Sequence, residues 1–239
     1  MKRKVQFAKN QIYHIYNRGV EKRSIFGDEN DRWRFLQGLC LFNDKQATAN
    51  LLWQLEKTRK EVNFRVLREY FQKKKKNQSP LVRIMADCLM PNHYHLVLEE
   101  LIDNGITKFM HKLGTGYVKY FNKKYDRVGG LFQGRFQAVQ VDKDIHLQYL
   151  LVYINVLNPG QLLEPKLKEE GIRDLGKIME FAAEYPWSTH QEYLGKRESR
   201  IIDKGICGSF FRNPSEYQGF VRRILEDKKY RSIEHLLLE

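Results

Sequence analysis

Cysteine is scarce. Only Cys40, Cys88 and Cys207 occur in 239 residues, far apart and with no CxxC pair. That excludes a disulfide-stapled scaffold and a zinc ribbon, and it fits a reducing cytoplasm. No apolar run approaches the ~20 residues that a membrane-spanning helix needs, so no membrane partner is expected. The start, Met1–Val5 (MKRKV), is basic but lacks the apolar stretch of a signal peptide. Acidic residues are outnumbered, 29 Asp+Glu against 42 Lys+Arg, for a net charge of +13. A polyanion is the expected partner, with nucleic acid ahead of a membrane surface. What is present can build a core: 42% of residues are hydrophobic and 13% aromatic, which excludes wholesale disorder.

Residues 11–17 (QIYHIYN) are rich in β-branched and aromatic side chains and predict a first strand. From Asp28, apolar residues recur at helical spacing. Residues 44–80 read as a basic helical insertion. Between Glu56 and Lys76 there are nine basic and three acidic residues, net +6. A hairpin follows: 81–90 and 93–99 as strands, Pro91-Asn92 as the turn. A helix is expected over 107–125, with Phe109, Met110, Leu113, Tyr117 and Phe121 on one face and Lys108, Lys112, Lys119 and Lys123 on another. Residues 131–141 should be extended. Asp142 or Asp144 should cap a helix over 145–157, stopped by Asn158-Pro159-Gly160. A last helix is expected over 215–239. This order predicts an α+β fold with an antiparallel sheet.

Two features carry chemistry. In His93-Tyr94-His95, strand alternation puts both imidazoles on one face and Tyr94 on the other. Such a pair can hold a divalent metal, although His-x-His is also an ordinary surface or packing feature. Tyr149 and Tyr153 lie at i and i+4 among leucines and valines, a spacing that core packing also explains. A tyrosine can instead serve as a covalent nucleophile.

Residues 89–98 (LMPNHYHLVL), then Phe132-Gln133-Gly134-Arg135-Phe136, then Tyr153-Ile154 ahead of Asn158-Pro159, together resemble the single-tyrosine HUH transposases. The branch they resemble is that of the REP-associated tyrosine transposases, which belong with the IS200-like transposases. Residues 13–19 (YHIYNRG) and Tyr185-Pro186-Trp187-Ser188 are similar to that branch too. The resemblance implies a ferredoxin-like HUH domain over residues 1–165, with a central antiparallel sheet flanked by helices. Residues 166–239 would be a helical C-terminal extension, either DNA-binding or packing. His93 and His95 would bind Mg²⁺ or Mn²⁺. A tyrosine would attack a DNA phosphodiester, forming a 5′-phosphotyrosine link and releasing a 3′-OH. The substrate would be single-stranded DNA carrying hairpins, and the protein cytoplasmic and nucleoid-associated, as a monomer or a homodimer.

Tyr153 matches the opening of the family's Tyr-Ile-x-x-Asn-Pro-like run, and Tyr149 is the alternate. The run is one residue longer here. Asn158, the expected third metal ligand, is therefore i+5, about 140° round an ideal helix from Tyr153. A π-bulge or an unwound last turn would restore it. Arg18, Arg135 and the lysine face of Lys108, Lys112, Lys119 and Lys123 are expected to hold DNA phosphates. Two other readings stay open: an idle hairpin-binding protein on the same fold, and a metal nuclease that uses water.

Overall fold

The computed structural model describes residues 5–45 and 79–228. The expected helices of the basic insertion fall almost wholly on 46–78, outside the described residues. The last helix, expected to run to 239, ends at Glu226 with Asp227 as its C-cap, and 229–239 also lie outside the described residues. The elements that frame the site are strand β1 (Ile12–Arg18), helix α1 (Glu29–Phe42), β2 (Val82–Met90), β3 (His93–Glu100), α2 (Gly105–Lys124), β4 (Gln137–Val141) and α3 (Asp144–Val152). A π-helical segment, Tyr153–Leu157, and a further turn, Asn158–Gly160, prolong α3. Then come α4 (Leu167–Glu170), α5 (Leu175–Glu184), α6 (His190–Tyr193) and α7 (Pro214–Glu226).

The sheet order is β2-β3-β1-β4, every pair antiparallel. The β1-α1-β2-β3-α2-β4 order with this arrangement is the ferredoxin-like topology, as the motifs implied. One sheet face, carrying Tyr13, Ile15, Tyr94 and Leu96, meets α1 and α2: Phe35 of α1 lies 4.9 Å from Tyr94 and 5.1 Å from Tyr117 of α2. The other face, carrying His14, Tyr16, His93 and His95, meets the π segment. Asp28 caps α1, accepting from the Asp31 backbone N–H in a capping box.

The β2–β3 turn is gripped from outside. The Pro91 carbonyl accepts from the Ile25 and Phe26 amides, and the Asn92 carbonyl from the Gly19 amide. Gly19 is required there, because a Cβ would meet the Arg23 carbonyl oxygen at 2.1 Å. These contacts fix where His93 emerges. The Tyr185–Thr189 stretch covers β2, with Leu89 N–H donating to Trp187 and Thr189 N–H to Asp87. It shields an edge strand that would otherwise present unpaired backbone groups.

Three expectations need correction. Neither Asp142 nor Asp144 caps α3; Lys143 holds that position, with no side-chain cap bond. Asn158-Pro159-Gly160 does not stop the helix. The chain stays helical through Gly160, since Pro159 sits in the first turn after the π segment, where a missing N–H is tolerated. Only 137–141 of the stretch 131–141 is strand, because residues before it bend to pair Phe132 with Gly19. Among the described residues no helix is long and apolar enough to cross a membrane.

Candidate active site

His93 and His95 share one face of β3, their ring centroids 5.0 Å apart and their planes nearly perpendicular. Each ring is tethered through Nδ1: that of His93 lies 2.6 Å from Asn92 Oδ1, and that of His95 lies 2.8 Å from Nε2 of His14 on β1. A proton on His95 Nδ1 leaves Nε2 as a bare lone pair. That Nε2 is buried and has no hydrogen-bond partner among the described residues. Burial, with His93, His14 and Lys168 nearby, holds the His95 imidazole well below the usual histidine range, so the ring is neutral.

Tyr153 packs over this pair. Its ring stands perpendicular to His95 at 5.6 Å and to His14 at 6.4 Å. Tyr149 turns elsewhere and stacks on Phe220 of α7 at 6.3 Å. The π segment begins at Tyr153, and the Asn158 N–H donates to the Tyr153 carbonyl, five residues back. The wider turn brings Asn158 round toward Tyr153. Lys168 Nζ donates to Tyr153 Oη at 2.8 Å and to Asn158 Oδ1 at 3.2 Å. The departure at i+5 is thus compensated by the backbone. Buried hydrogen bonds hold the segment from behind: Asn155 accepts from the Thr189 hydroxyl at 2.8 Å and donates to Tyr217 Oη at 3.0 Å, which also meets His190 Nδ1 at 2.9 Å.

In front of the histidines lies a cleft of about 990 Å³, lined by Tyr16, Arg18, Lys22, His93, His95 and Arg135 among others. Arg18 Nε donates to Gln133 Oε1 at 2.6 Å across its mouth. The expected phosphate-holding residues divide here. Arg18 and Arg135 line the cleft. Lys108, Lys112, Lys119 and Lys123 do not, because they ride on α2, across the sheet from the histidines. Lys112 is further committed, donating to the Asp44 carbonyl.

The donors suit a divalent ion of intermediate softness. His93 and His95 offer imidazole nitrogens and Asn158 an amide oxygen; Mn²⁺ accepts this mixture more readily than Mg²⁺. The Asn158 Nδ2 is buried without a partner among the described residues, and its Oδ1 also accepts from Gln161. Among the described residues, no three His, Cys, Asp or Glu side chains gather as a metal cluster. The donor set is uncharged, so an ion here would draw its anionic ligands from a substrate phosphate. The residues fit such an ion.

Three site residues escaped sequence reasoning. His14 and Tyr16 lie within the predicted first strand, where alternation alone would have paired them on one face, but the register against β3 was needed to set them beside His95. Tyr16 Oη is buried without a partner among the described residues, and burial, opposed by Arg18, pushes it up to about 12. Lys168 gave no local signal.

No curated protein is similar enough in sequence to count as a relative. One solved structure, a REP-associated tyrosine transposase bound to a REP hairpin, shares 10% identity over 85% of this chain and 94% of its own, with a TM-score of 0.46. That likeness is too loose to carry function. Residues 44–156, which run from before β2 to three residues past Tyr153, match the family described as transposase IS200-like. The family that the motifs resemble is therefore the family that this segment matches, the IS200-like transposases.

Proposed function

We propose that the protein nicks and rejoins single-stranded DNA bearing hairpins, through a 5′-phosphotyrosine on Tyr153. The observation that carries this reading is Tyr153 set perpendicular over His95, behind a cleft ringed by Arg18, Lys22 and Arg135. The transposase match over 44–156 supports the reaction class, and the motif resemblance supplies the substrate class.

In this reading Arg18 and Arg135 draw the backbone into the cleft, where guanidinium groups can grip phosphate oxygens in pairs. Tyr153 Oη attacks phosphorus, the P–O3′ bond breaks and the Oη–P bond forms. The phenol proton passes to water, and the departing oxygen takes one up to leave as a 3′-OH. Joining runs this exchange backward with a new 3′-OH. The covalent link conserves the bond, which attack by water would not. His93, His95 and Asn158 would hold the Mg²⁺ or Mn²⁺, which supplies Lewis-acid polarisation of the phosphate when bound. Neutral His95 keeps its Nε2 available for that role.

A second reading, an idle hairpin-binding protein, is favoured by one observation: Tyr153 is 1% exposed. Incubation with hairpin-bearing single-stranded DNA and Mn²⁺ separates the two. The enzyme predicts cleavage that His93→Ala abolishes. The idle binder predicts tight binding and no cleavage. Cleavage retained in Tyr153→Phe would instead mark a nuclease that uses water.

A further inference from the structure

We propose that Lys168 is a positioning residue that serves as the resident cation of this site. Its ammonium holds the Tyr153 hydroxyl and the Asn158 amide oxygen together, and it contests that amide with a divalent ion. The inference rests on the reading of Tyr153 and Asn158 given above.

Lys168 Nζ lies 2.8 Å from Tyr153 Oη, 3.2 Å from Asn158 Oδ1 and 4.3 Å from the centre of the Tyr153 ring. The hydroxyl, the amide oxygen and the ring face each present negative charge density to the ammonium. The residue is half-buried and is delivered by a braced turn. Leu167 beside it is buried, and the Leu167 N–H donates to the Glu164 carbonyl while Glu164 N–H donates to Gly160. Gly160 admits this packing: a Cβ there would meet Leu167 and Ile178 at 3.0 Å. The core therefore fixes the backbone from which Lys168 reaches both oxygens.

A charge so placed has two effects of opposite sign. It stabilises negative charge on Oη, both as Tyr153 attacks and as it departs when strands are joined. It also repels a divalent ion approaching Asn158. A lysine that merely packs would not couple these effects.

The test uses the full chain with Lys168→Met and Lys168→Gln, which remove the charge, and Lys168→Arg, which keeps it. Mn²⁺ binding is read without DNA by electron paramagnetic resonance. Adduct formation is read in a single turnover on a hairpin-bearing oligonucleotide at saturating Mn²⁺. The expected result is Mn²⁺ binding at least about fivefold tighter in the uncharged variants, with adduct formation at least about tenfold slower. Lys168→Arg should match the wild type in Mn²⁺ affinity. Unchanged Mn²⁺ affinity in both uncharged variants overturns the inference, whatever happens to the rate. If the wild type binds Mn²⁺ but gives no adduct, the phosphotyrosine reading fails, and the Mn²⁺ comparison still decides the place of Lys168.

Discussion

Tyr153 and Asn158 are five residues apart, yet one ammonium touches oxygens of both, at 2.8 and 3.2 Å. In an ideal α-helix their side chains would diverge by about 140°. The i+5 hydrogen bond from Asn158 to Tyr153 turns the pair toward a common direction instead. A single inserted residue is absorbed as a π segment, a device often found at functional sites. The geometry of the site thus depends on keeping that segment wound as it is.

Asn155 is what keeps it. Its amide is buried in the π segment and spans Thr189 and Tyr217. Asn155→Ala would leave two buried hydroxyls short of a partner, at a cost of about 1–3 kcal/mol. Denaturation midpoints should fall accordingly, and adduct formation should fall further than stability alone explains, because Asn158 loses its phase. An unchanged rate in a destabilised variant would contradict that link.

Tyr16 gives a contrasting case. Its hydroxyl is buried against the cleft with no partner among the described residues, so removing it relieves a penalty. Tyr16→Phe should leave thermal stability equal or raised. If the hydroxyl donates to substrate phosphate, binding of single-stranded DNA should weaken by roughly five- to tenfold. Weaker stability with unchanged binding would count against this role.

The two faces of the sheet predict different salt behaviour. Arg18→Gln and Arg135→Gln should each lower the slope of log K against log salt by about 0.7, the loss of one phosphate contact to a single strand. Lys119→Gln and Lys123→Gln, across the sheet on α2, should leave the slope unchanged. Equal losses from both sets would place the DNA path on both faces.

Much of this arrangement was legible in the sequence. Alternation in His93-Tyr94-His95 and the Pro91-Asn92 turn located the hairpin, and helical spacing located α1 and α2. Lys108, Lys112, Lys119 and Lys123 do lie on one helix. Periodicity, however, cannot say which side of a sheet a helix covers. His14 and Tyr16 needed strand register, which is a long-range property. Lys168 is 15 residues beyond Tyr153, across a turn, and belongs to the segment read as an extension. Tertiary packing alone brings it in.

Stability should respond to pH through two buried groups with opposite signs. Burial, with Lys196 nearby, lowers His190 from 6.5 to about 3. Between those values the unfolded chain holds a proton that the folded chain lacks, so stability is intact above pH 6.5 and is lost as pH falls toward 3. Asp87 moves the other way: burial, then Glu192, raises it from 3.8 to about 7 against Arg197. There the folded chain holds the extra proton, and stability falls as pH rises toward 7. Urea titrations across this range should show His190→Asn flattening the acid limb and Asp87→Asn the neutral limb.

The central claim is that Tyr153 forms a covalent bond with DNA. It is tested most directly by incubating the protein with Mn²⁺ and a hairpin-bearing single strand labelled at its 3′ end, followed by denaturing electrophoresis and peptide mass spectrometry. The account predicts label on the protein, attached to Tyr153, present in Tyr149→Phe and lost in Tyr153→Phe. Cleavage with no labelled protein, or label attached to Tyr149, would contradict it.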